Sequence, residues 1–175
     1  NPSAVPDSSG EWFEIHNIAS GAIDIDGFTI LDNDTDSHVI NNGGPLIILA
    51  GGYLVLGINA DTATNGGAPV DYQYADFTLD DAPDQVSVSF LGVVVDTVTY
   101  DWGGLFPAPT GQAMSLDPAL VDAVDNDDGA AWCASAAARE DAAASSPSAT
   151  RLSKRSAVTS GTHVPSSHPA PGSER

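Results

Sequence analysis

The sequence predicts an all-β domain, an antiparallel sandwich or barrel, from three observations. Between residue 10 and about residue 117, apolar and polar residues alternate in short runs. Gly, Asn, Asp and Pro separate those runs, and no stretch carries the apolar i, i+3, i+4 spacing of a helix of useful length.

The first strand is expected over Glu11 to Ile18, where Phe13 and Ile15 share one face and Trp12, Glu14 and His16 the other. In IDIDGFTILD, residues 23–32, Ile23, Ile25, Phe28 and Ile30 surround Gly27, which suits a bend or bulge. His38 to Ile40 is a brief strand, and LIILAGGYLVLGI, residues 46–58, gives two strand-like runs broken by Gly51 and Gly52. The Asn-, Gly- and Ala-rich stretch 59–71 reads as a surface loop, followed by a weaker strand around Phe77 and Leu79. QVSVSFLGVVVDTVTY, residues 85–100, is a hairpin: Val86, Val88 and Phe90 alternate with polar residues, Gly92 turns the chain, and the pattern resumes through Val98 and Tyr100. Gln112 to Leu116 forms the last short strand, ended by Asp117 and Pro118.

Charge divides the chain more sharply than hydropathy does. Of its 24 Asp and Glu residues, all but Glu140, Asp141 and Glu174 precede Arg139, the first Lys or Arg in the sequence. The net charge of −19 therefore belongs to the front part. Such a domain repels nucleic acid, whose sequence-independent affinity comes from Lys and Arg displacing phosphate counterions, so direct nucleic-acid binding is not expected. The same charge favours basic partners, divalent cations and a saline, extracellular setting, and it opposes self-association, so the chain is expected to be monomeric. Ser, Pro, Thr and Ala dominate after Cys133, and the chain divides into a domain, 1–135, and a disordered tail or frame-shifted segment, 136–175. No apolar run is long enough to span a membrane, and the chain, starting at Asn1 without Met or signal peptide, reads as a fragment. The single cysteine, Cys133, lies beside Trp132, which suggests a packed thiol; a disulfide to sequence outside the chain is the alternative.

Asp32, Asp34 and Asp36 in LDNDTDSH place carboxylates at alternate positions in a loop, a spacing that can wrap oxygens around Ca²⁺. The EF-hand pattern wants Gly and Glu where Ser37 and Gly43 stand, so a solvated turn competes with the calcium site. Asp125, Asp127 and Asp128 form a second acidic loop. Catalysis is poorly served. Ser37, His38 and an aspartate lack any sign of an oxyanion site or nucleophile elbow, while Glu11 and Glu14 are set at odd spacing and point to opposite faces of a strand. His16 and His38 read as packed or surface residues before metal ligands, and the aromatic set, Trp12, Phe13, Phe28, Tyr53, Phe77, Phe90, Tyr100, Trp102 and Trp132, as core.

Six stretches taken together resemble the lamin-tail domain of secreted bacterial proteins. They are NPSAVPDSSGEWFEIHN at 1–17, IDIDGFTILD at 23–32, AGGYLVLG at 50–57, DQVSVSFLGVVVDTVTYD at 84–101, GQAMSLDP at 111–118 and NDDGAAWCAS at 126–135. The resemblance implies an immunoglobulin-like antiparallel β-sandwich that is not an enzyme and serves as a binding or spacer module of a secreted or cell-surface protein. Its expected partners are neighbouring domains of a longer chain and a protein or cell-surface ligand. The alternatives are an accessory domain of a secreted nuclease or phosphoesterase, and a calcium-stabilised adhesion module. Residues 136–175 lack the Gly-rich closing tail usual in that family. Without Lys or Arg to pair with, Glu14 and Asn17 are expected to be structural hydrogen-bonders, and Glu11 to lie in solvent.

Overall fold

A computed structural model describes residues 2–33, 35–81, 83–101, 104–108 and 110–135. The chain is all-β, its strands short and mostly antiparallel. After one turn of helix, Asp7–Gly10, come β1 (Trp12–His16), β2 (Ile23–Asp24), β3 (Thr29–Leu31), β4 (Ser37–Val39), β5 (Ile47–Ile48) and β6 (Tyr53–Gly57). Then follow β7 (Tyr72–Gln73), β8 (Asp84–Phe90), β9 (Val93–Tyr100), β10 (Met114–Leu116) and β11 (Trp132–Ala134).

Two sheets enclose the core. One has the order β1-β6-β7, the other β4-β3-β8-β9, and β2-β5 and β10-β11 are two-stranded ribbons. From the first sheet Phe13, Ile15, Leu54 and Leu56 point inward, and from the second Ile30, Val86, Val88 and Val98 meet them in one apolar cluster. Phe13, Tyr74 and Phe77 pack ring on ring at its centre, with centroids 5.4–6.2 Å apart. The β6-β7 pairing is parallel, unlike the antiparallel pairing expected throughout.

The predicted hairpin is present over seven residue pairs, from Asp84↔Tyr100 to Phe90↔Val93. Its two-residue turn holds Leu91 at φ 51° and Gly92 at φ 78°, the left-handed pair that matches the twist of the strands. Gly92 adopts that conformation freely, whereas Leu91 pays for its Cβ there. A bulge follows Val88, so that Ser89 faces Val94 and Val95 has no opposite number.

Asn17, fully buried, joins three segments. Its Nδ2 donates to the carbonyls of Gly21 at 2.8 Å and Ile48 at 2.9 Å, and its Oδ1 accepts from the Ala19 amide at 2.9 Å. Its own backbone continues the β1-β6 pairing through Gly51 and Gly52. The expected structural role of Asn17 is thus met, and the side chain locks β1 to β5 across the ribbon.

Four expectations need correction. Phe77 and Leu79 are buried but form no strand; the regular pairing falls on Tyr72–Gln73 instead, and the Leu79 amide is taken by a side chain rather than by a strand partner. That side chain is Glu11, which is buried rather than solvated: its carboxylate accepts from the Leu79 amide at 3.0 Å, an anchor no charge count reveals. Cys133 is an exposed thiol, since β11 alternates and turns Trp132 into the core. The first strand is Trp12–His16, starting one residue later and ending two residues earlier than expected. The disorder expected for 136–175, and the core role of Trp102, fall outside the described residues.

Two substitutions probe this framework. Asn17→Ala strands the Ile48 carbonyl and the Ala19 amide and should cost about 2–4 kcal/mol in urea unfolding. Leu91→Asn supplies the residue type the turn prefers and should raise stability by about 0.5–1 kcal/mol, seen as a higher Tm despite the lost apolar side chain.

Candidate interaction surface

Several of the described polar side chains that could carry chemistry are engaged inside the fold. Asp84 accepts from the amides of Asp80 at 2.9 Å and Gln85 at 2.7 Å, and from the Tyr100 hydroxyl at 2.9 Å. Asp96 accepts from the Thr97 amide and from Asn126 Nδ2, both at 2.8 Å, and the Trp132 indole donates to the Asn126 carbonyl at 2.8 Å. This chain of bonds ties β9 to the closing segment. Glu14 is buried, its backbone opposite Val55 on β6.

His38 is likewise structural. Its Nδ1 accepts from the Ala75 amide at 3.3 Å, so in the neutral ring Nε2 carries the proton and donates to the Tyr72 hydroxyl at 2.8 Å. That hydroxyl also accepts from the Asn41 amide at 2.9 Å, and the pair links β4 in one sheet to β7 in the other. Ser37 is exposed and, as the strand neighbour of His38, projects to the opposite face, so the two do not assemble into a triad. His16 stacks on Tyr53, ring centroids 4.1 Å apart.

Of the loop proposed for Ca²⁺, Asp34 lies outside the described residues. Asp36 Oδ2 accepts from the Thr78 hydroxyl at 2.9 Å, and the Asp32 amide donates to the Asp36 carbonyl at 3.3 Å. Among the described residues no group of three His, Cys, Asp or Glu side chains is placed to hold a metal ion. In the second acidic loop Asp128 caps the Ala130 amide at 2.9 Å, the solvated-turn role rather than a ligand's.

Electrostatics follow from these bonds. Amide donors from Phe106 and Leu105 hold the Asp101 carboxyl below its ordinary range, and those of Asp125 and Val124 do the same for Asp122. Desolvation raises Asp127. Burial, reinforced by the charge of Glu11, pushes the Tyr74 phenol far above its usual 10.0. Tyr100 is likewise pushed up, by burial first and then by the charge and hydrogen bond of Asp84.

One surface stands apart from this pattern. On the outer face of the four-stranded sheet, the register sets Val39, Thr29, Ser89 and Val94 in one row across the strands, and Ser37, Leu31, Ser87 and Thr97 in the next. Gln85 and Thr99 complete it. None of these residues is charged. The acids on the same strands, Asp84 and Asp96, point the other way into the core. The hydroxyls bond to each other: Ser87 to Thr97 at 2.9 Å, Gln85 to Ser87 at 2.7 Å and Thr99 to Gln85 at 3.3 Å. Val39, Val94 and Leu91 remain exposed at the hairpin end. The aromatic residues expected as core are buried in part only, for Tyr53 and Phe90 are exposed, Phe90 stacking on Phe28 at 4.6 Å. This face was not foreseen in the sequence, although the uncharged Ser/Thr/Val positions of QVSVSFLGVVVDTVTY carried the signal.

Comparison with protein-family models, curated proteins and solved structures gives no match to this chain.

A raised tyrosine pKa stabilises the fold below pH 10 and withdraws that stability as pH climbs above it. Tyr74 and Tyr100 should therefore ionise only together with unfolding, phenolate absorbance and circular dichroism moving in one step; Tyr100→Phe removes a phenolate from that step. For the acidic loop, thermal unfolding with EDTA, Ca²⁺ and Mg²⁺ at matched ionic strength is decisive. Because Asp36 is already bonded to Thr78, an equal rise with both cations is expected, the mark of charge screening. A rise specific to Ca²⁺ and lost in Asp34→Ala would assign the loop a calcium ion instead.

Proposed function

We propose that the chain is a non-catalytic, lamin-tail-like binding or spacer module of a secreted or cell-surface bacterial protein. One observation carries the reading. Glu11, Asp84, Asp96 and His38, four of the buried or half-buried titratable groups a catalyst could recruit, are each engaged with backbone amides or with neighbouring hydroxyl and amide groups. A carboxylate held this way supports a strand or a turn and has little capacity left for a substrate.

Two of the six stretches that resemble the lamin-tail family fall on structural features of this kind. EWFEIHN contains the Glu11 anchor, β1 and the Asn17 lock, and NDDGAAWCAS contains the Asn126 and Trp132 bonds that close the domain. The lack of Lys and Arg before Arg139 argues further for a role away from nucleic acid.

The test is turnover. The full chain, incubated with duplex DNA, with bis(p-nitrophenyl) phosphate and with a generic peptide substrate, with and without divalent cations, should show no rate above buffer. A rate that disappears in Glu11→Gln or His38→Gln would overturn the reading.

A further inference from the structure

We propose that the uncharged outer face of the four-stranded sheet docks a basic protein partner, one that lays apolar side chains on Val39 and Val94 and sets Lys or Arg side chains around the rim. The inference rests on the reading of the chain as a binding module.

The distribution of charge selects the face. Every charged side chain before Arg139 is an acid, yet two rows of this sheet carry none. The acids lie instead at the strand ends: Asp26 before β3, Asp32 and Asp36 in the turn to β4, Asp80 and Asp81 before β8, Asp101 after β9. An uncharged centre within a charged rim is the composition of a protein interface.

Shape and exposure agree. Val39 and Val94 are 57% and 56% exposed, at opposite ends of one row, and Leu91 at the hairpin tip is 86% exposed. Between the valines lie Thr29 and the buried, shorter Ser89. Four strands at the usual spacing put the valines about 14 Å apart, wide enough for an extended strand or one helix of a partner. The hydroxyls beside this trough bond to one another, so the face offers apolar contact more than free donors.

Electrostatics then choose the occupant. Nucleic acid, an anionic membrane and a second copy of this domain all bring negative charge to a domain without a Lys or Arg before Arg139, and each is repelled. A Lys- or Arg-rich protein surface is attracted, with charge steering the encounter and the valines supplying contact.

The experiment compares two synthetic peptides of equal charge, one alternating Lys with Val and one alternating Lys with Ser, against the ¹⁵N-labelled full chain. The Lys-Val peptide should bind more tightly, shift the amides of Thr29, Val39, Ser89 and Val94, and lose about tenfold in affinity with V39S/V94S. That variant changes no charge, and its fold is checked by an unaltered core spectrum. Equal binding of the two peptides, shifts spread over the whole surface, or no binding at all would overturn the proposal. So would a salt-induced dimer abolished by V39S/V94S, which would assign the face to a second copy. Failure here with no turnover in the substrate assays would overturn the docking face alone; turnover would overturn the reading beneath it.

Discussion

A carboxylate that has no Lys or Arg to pair with must find its hydrogen bonds in the backbone, and the rest of this structure depends on that constraint. Glu11 takes the Leu79 amide, Asp84 those of Asp80 and Gln85, Asp96 that of Thr97, Asp101 those of Leu105 and Phe106, and Asp122 those of Val124 and Asp125. At Asp101 and Asp122 the donated amides hold the carboxyl below its ordinary range, so these two contacts favour the deprotonated acid and the folded chain together. The effect reaches beyond electrostatics. The backbone around Phe77 and Leu79 leaves the sheets, and Glu11 supplies a fixed acceptor for the Leu79 amide there.

Amide, imidazole and phenol side chains complete the frame where carboxylates do not reach. Asn17 locks β1 to β5, Asn126 carries the bond from Asp96 to Trp132, and the His38–Tyr72 pair joins the two sheets at β4 and β7. These side chains are buried or half-buried, and each serves two or more segments, so the short strands are held by cross-links as much as by their ladders. Gly104 belongs to the same economy, since a Cβ there would collide with the Asp101 carboxylate that accepts from Leu105 and Phe106.

Self-repulsion among so many acids governs the outside of the molecule. Acids on the strands of the larger sheet either turn inward to hydrogen bonds or stand at strand ends, and the broad face between is left to Ser, Thr, Gln and Val. Screening by salt would relax this repulsion, and it would also weaken the attraction for a basic partner. Stability and association are thereby coupled to ionic strength with opposite sign, a property of the charge distribution rather than of any single residue.

The all-β class, the hairpin and its turn at Gly92, and the breaks at Gly27 and Gly51 follow from period-2 alternation and glycine placement, which depend only on near neighbours along the chain. Glu11, Phe77 and Leu79 could not be read that way, because the bond joining Glu11 to Leu79 spans 68 residues. The Tyr72–Gln73 strand was hidden by its length, and the exposed Cys133 by the neighbouring Trp132, which alone turns inward. The uncharged face was invisible for a related reason. Its residues come from four strands and share a surface only through register, and register is decided by the tertiary pairing of β4, β3, β8 and β9. Local pattern determined which residues alternate; only the folded sheet decided which of them stand side by side.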